Sequence, residues 1–115
     1  MSHPAFAAAA LAAAAATAPL ESLPRDARPP PDCALEIRFG SICCGPDVDV
    51  EQRIRQAALA DRRVLKAYEW GWGEEGESSL CLVLRTRANA VLLASDYKRW
   101  VSERPQPMLT SVEVR

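Results

Sequence analysis

The chain has 115 residues, 49% hydrophobic and 25% charged, and its 14 Lys and Arg against 15 Asp and Glu leave a formal charge of -1. That length bounds it to one domain. With a pI near 5.8 it presents no positive field to a polyanion, so nucleic-acid binding and polybasic membrane docking lose their driving force.

Residues 5–18 read AFAAAALAAAAATA, with nothing charged after them until Glu21. These 14 residues fall short of the about 20 a helix needs to cross the hydrocarbon core, but they suit the apolar stretch of a secretory signal. No membrane span is expected. The small residues Ala14-Ala15-Ala16 place a cut before Thr17, whereas a cut after Ala18 would set Pro19 immediately behind it. The first residues, Met1-Ser2-His3, lack the Lys or Arg such signals usually carry, and the competing reading is an alanine-rich tail. We read 1–18 as a signal peptide and the compartment as periplasmic or secreted.

Residues 19–32 hold five prolines in fourteen positions. Proline fixes φ and removes donors, so an extended linker is expected. The remainder, 33–115, carries twelve basic and twelve acidic side chains; a domain of that size has a modest core and gains from a covalent staple.

Within it Leu35, Ile37 and Phe39 alternate with Glu36 and Arg38, the period of a strand with one buried face. Gly40 to Pro46 breaks the pattern, and Asp47 or Asp49 can cap a helix over roughly 48–60, with Val50, Ile54, Ala57 and Ala58 at helical spacing. Val64–Trp72 and Ser79–Arg85 read as a hairpin around three glycines. Ala88, Val91, Leu92, Ser95, Trp100 and Val101 mark a second helix ending before Pro105, and Thr110, Val112 and Val114 a last strand. The order strand, helix, strand, strand, helix, strand predicts a ferredoxin-like α+β sandwich, βαββαβ, with an antiparallel sheet ordered 4-1-3-2 and both helices on one face.

That topology brings Gly40–Asp47, the 70–77 loop and Glu103–Met108 to one edge. Cys43 and Cys44 then precede a helix N-terminus, which favours thiolate. In an oxidising compartment a small domain usually uses its cysteines as disulfides. The candidates are Cys43, Cys44 and Cys81, with Cys81 bridging to Cys43 or Cys44; Cys33, about 20 Å away along a strand, is set apart from that edge. A second reading makes Cys43 and Cys44, with Cys81, a thiolate site for a soft metal of the copper type, and a third a thiol redox or vicinal-disulfide switch. The first reading needs no cofactor.

Around the same edge Glu74, Glu75 and Glu77 either hold a hard cation or form a solvated hairpin tip. Tyr68, Trp70 and Trp72 alternate along one strand; either they pack on the core side or over the hairpin, or on an uncovered sheet face they make a patch for a protein partner or a second copy of the chain. Catalytic candidates are absent: the only histidine, His3, lies in the expected signal, the serines stand in no nucleophile motif, and Gly71-Trp-Gly-Glu-Glu-Gly76 sits in a hairpin rather than at a helix start.

Two cysteines between the first strand and first helix are similar in position to the ligands of heavy-metal-associated domains, although Ser41-Ile42-Cys43-Cys44 lacks their C-x-x-C motif. That resemblance implies copper binding at Cys43 and Cys44. Over about 40 residues, Phe39-Gly-Ser-Ile-Cys-Cys-Gly45 and Trp72-Gly-Glu-Glu-Gly-Glu77 resemble a pattern in small uncharacterised bacterial exported proteins, which implies no specific activity. The reading is therefore an exported binding or structural module, stapled at its loop edge, with partner-surface candidates Trp70, Trp72, Glu74, Glu75 and Glu77. Copper or thiol redox chemistry is the alternative.

Overall fold

The computed structural model describes residues 17–115, so the expected signal falls, but for its last two residues, outside the described residues. Strands β1 (Leu20–Ser22), β2 (Leu35–Phe39), β3 (Val64–Gly71), β4 (Ser78–Leu84) and β5 (Thr110–Val114) and helices α1 (Val48–Ala60) and α2 (Arg87–Ser102) follow in chain order, with a short 3-10 turn at Pro107–Leu109. The sheet has five strands in the order β1-β3-β4-β2-β5. This corrects the expected ferredoxin-like fold with four antiparallel strands: the sheet is mixed, because β1 adds to its edge parallel to β3.

The added strand comes from the proline-rich stretch read as a linker. Leu20 pairs with Ala67, Glu21 with Tyr68 and Ser22 with Glu69. The amides of Ala67 and Leu23 donate to Pro19 and Glu69, and that of Asp26 to Gly71. The prolines stand at 19, 24 and 29–31, leaving Leu20–Ser22 free of them. A short edge strand tolerates flanking proline because only one side of its backbone is paired.

One face of the sheet carries the core. Leu35, Ile37, Phe39, Leu80, Leu82 and Val112 pack against Val50, Ile54 and Ala58 of α1 and Ala90, Leu93, Ala94, Tyr97 and Val101 of α2. Helix α1 starts where expected, capped by Asp47, whose carboxylate accepts the Val50 amide. In α2 the phase differs from the expected one. Val91 and Leu92 are exposed, and the smaller Ala90 and Ala94 beside Leu93 and Tyr97 let the helix approach the sheet.

The opposite face was expected to be open, and over β3 and β4 it is covered. Cys33, Tyr68, Trp70 and Cys81 are buried there, with Leu23, Ala27, Trp72 and Val83 against them. The cover is the 23–33 segment of the chain itself, a strap running from β1 to β2. Tyr68 donates its hydroxyl to Asp32, and Cys33 is disulfide-bonded to Cys81. Among the described residues no helix is long and apolar enough to cross a membrane.

Candidate functional site

The four cysteines form two pairs, Cys33–Cys81 and Cys43–Cys44. The expected bridge from Cys81 to Cys43 or Cys44 does not form. Ser78 starts β4, so Cys81 lies about 10 Å inside the strand at ~3.3 Å per residue. It is opposite Glu36 on the strap face and away from the loop edge. Cys33 reaches it because the strap crosses that face, with Cα atoms 5.6 Å apart. Both cysteines are buried, Cys81 completely. Closing a loop with 48 residues of separation stabilises the fold by about 4 kcal/mol in the chain-entropy account.

The second pair is joined within one turn. Ile42, Cys43 and Cys44 are exposed, Ile42 at 69%. The Gly45 amide closes the turn on the Ser41 hydroxyl at 2.9 Å, and Gly45 has φ +105, a region open to glycine and costly for other residues. Behind it Gly40 donates to the Leu109 carbonyl at 2.7 Å. Arg104, just past α2, places Nε 2.8 Å from Asp47 Oδ2 and a terminal nitrogen 3.4 Å from Asp49. Burial alone would raise the Asp47 carboxyl, but the Arg104 guanidinium and the Val50 amide outweigh it and hold the carboxyl below its ordinary value. Cys44, Gly45, Pro46, Asp47, Arg104, Pro105, Gln106 and Leu109 line an open cavity of about 360 Å³.

The hairpin loop sits beside this turn: a methyl group on Gly45 would lie 3.7 Å from the Glu75 carbonyl, and one on Gly76 3.9 Å from Pro46. Three chain segments therefore meet at one edge. Of the acidic candidates, Glu74 and Glu75 are exposed, whereas Glu77 is buried and accepts the Glu75 amide at 2.6 Å, holding its own loop. Trp72 donates its indole N–H to Ser79 and lies 4.4 Å under the Arg38 guanidinium. Trp70 is buried under the strap.

For a soft metal, the donors at Cys43 and Cys44 are bonded to each other and that of Cys81 to Cys33, so this oxidised form offers no thiolate set. Among the described residues no group of three or more His, Cys, Asp and Glu is arranged to hold a metal ion.

One polar centre went unread in the sequence. Arg55 bonds Glu51, Glu69 and Ser78, and Ser78 donates in turn to Glu51. The Glu51–Arg55 spacing of one helical turn was the available signal; the contribution of β3 was not visible before the sheet was known. Every member is satisfied within the network, which ties α1 to β3 and β4.

Compared with family models, with curated proteins and with solved structures, the chain matches none.

Proposed function

We propose that the chain is an exported binding module. Cys33–Cys81 staples it, and the edge formed by the 41–47 turn, the 72–77 loop and Arg104 is its recognition surface. The observation that carries this reading is the staple. It fixes the strap over Tyr68 and Trp70, and such a buried structural disulfide belongs to an oxidising compartment. The edge gathers exposed Ile42, the Cys44–Leu109 cavity and the exposed Glu74 and Glu75, an apolar tip with an acidic rim suited to a protein partner. A partner or second copy on the β3–β4 part of the sheet face would have to displace the strap, which favours the edge. A copper-type site at Cys43 and Cys44 requires both sulfurs as thiolates.

Intact mass of the protein isolated without denaturant from the exported fraction tests the reading. Expected is loss of the residues through Ala16 and a mass lower by four hydrogens, one pair for each of the two disulfides. A full-length chain with alkylatable Cys33 and Cys81 overturns it.

A further inference from the structure

We infer that Cys43–Cys44 is a thiol–disulfide exchange site whose co-reactant is a dithiol, and that it works while Cys33–Cys81 stays closed. The two disulfides of this fold differ in access and in how far the fold supports them. Attack requires access to a sulfur; Cys43 and Cys44 are exposed, while Cys33 and Cys81 are buried under the strap.

Folding supports the two bonds unequally as well. The register of β2 on β4 and the strap hold Cys33 and Cys81 together although 48 positions separate them. Opening that bond abandons a long closed loop, and the native fold strengthens it in return. Adjacent residues gain nothing comparable: their separation is one position, folded or not. The fold thus adds little to the tendency of Cys43–Cys44 to be oxidised, so its potential is the higher of the two and the pair is reduced first.

The surroundings permit the change. The turn is anchored on both sides of the pair by bonds that involve neither sulfur, Gly40 to Leu109 and Gly45 to Ser41. Neither Cys43 nor Cys44 belongs to either of the two core clusters, so opening the ring leaves the core packed.

In the exchange, a thiolate of the incoming dithiol attacks one sulfur of the pair. The Cys43–Cys44 bond breaks, a mixed disulfide forms, and the other cysteine leaves as a thiolate that takes up the proton lost by the attacker. The second thiol of the reagent then attacks the mixed disulfide, closes the reagent's own disulfide and releases the second cysteine as a thiol. Two electrons and two protons pass from the dithiol to the pair, and the reverse reaction reoxidises it.

The test is equilibration of the full chain, without denaturant, in graded ratios of reduced to oxidised dithiothreitol, approached from both directions. Acid quenching, alkylation and peptide mapping then give the state of each cysteine. Expected are two separate midpoints, with Cys43 and Cys44 half reduced at a ratio at least about tenfold less reducing than Cys33 and Cys81. The Cys43→Ser, Cys44→Ser double variant should keep the second midpoint unchanged. Coincident midpoints, a reversed order, or a Cys43–Cys44 bond that yields only on unfolding overturns the inference. The assignment is independent of export: free Cys33 and Cys81 in freshly isolated protein would sink the stapled-module reading, whereas the ordering of midpoints alone decides this one.

Discussion

Arg115 places a terminal guanidinium nitrogen 2.9 Å from the carboxylate of Glu36, a side chain only 3% exposed on the strap side of the sheet. The other Glu36 oxygen has no hydrogen-bond partner among the described residues, and Arg38 stands 3.8 Å from it. Removing Arg115 leaves this desolvated carboxylate with the more distant Arg38 as its remaining counter-charge. Arg115→Ala should therefore cost about 2 kcal/mol, and Glu36→Gln in that background should recover part of it. Urea midpoints of the two single variants and the double variant check this; additive effects would count against the pairing.

The Cys33–Cys81 staple should be worth about 4 kcal/mol. Cys33→Ser, Cys81→Ser and the double variant should lose similar amounts, because either change opens the same bond. Trp70 emission should shift to the red as the strap loosens over it. The Cys43→Ser, Cys44→Ser variant should melt close to the wild type. A large loss there would show that the turn supports the core.

Tyr97 is buried in the core, its hydroxyl has no partner among the described residues, and burial pushes its pKa up, opposed only in part by Arg63. A desolvated hydroxyl without a partner is a cost that phenylalanine avoids. Tyr97→Phe should raise stability by up to about 1 kcal/mol, read from the denaturation midpoint; a loss of that size would reveal a partner for the hydroxyl.

Acid should weaken the fold through two carboxylates. Asp61 is held below its ordinary pKa first by its hydrogen bond from Arg63, and Asp47 by Arg104 and Val50 against its burial. The folded state thus binds fewer protons than the unfolded chain. The stabilisation is fully present above the unfolded value of 3.8 and is lost as pH falls through the lower folded values. Asp47→Asn keeps a good helix cap and loses the Arg104 ion pair. Its urea midpoint should lie below the wild type at neutral pH and meet it near pH ~2.

Local signals in the sequence carried far. The alternation at Leu35, Ile37 and Phe39 placed β2, and the two capping candidates Asp47 and Asp49, of which Asp47 is the cap, placed the start of α1, because period and capping are properties of neighbouring residues. Long-range pairing was not legible. Leu20–Ser22 becomes a strand only because β3 offers it an edge, and three residues between prolines carry no period of their own. Missing that strand hid the strap, and with it the cover on Trp70 and the partner of Cys81. In α2 the alanines facing the sheet look no more buried in sequence than the exposed Val91 and Leu92, so the pattern pointed to the wrong side. The meeting of the 40–47, 70–77 and 103–108 segments was legible because it follows from the hairpin and the two helices, which β1 does not disturb.

The parallel pairing of β1 with β3 also sets an order of assembly. Leu20 must wait for Ala67 and Cys33 for Cys81, so in a chain delivered from its N-terminus the first described segment is among the last to settle. Contacts so distant along the chain form slowly because the intervening loop must close first. Before Cys81 arrives, Cys33 can meet only the incorrect partners Cys43 and Cys44, and until the strap docks the aromatic side of the hairpin stands bare. A thiol catalyst that corrects such pairings would act in this interval, before the strap seals its own disulfide from further exchange.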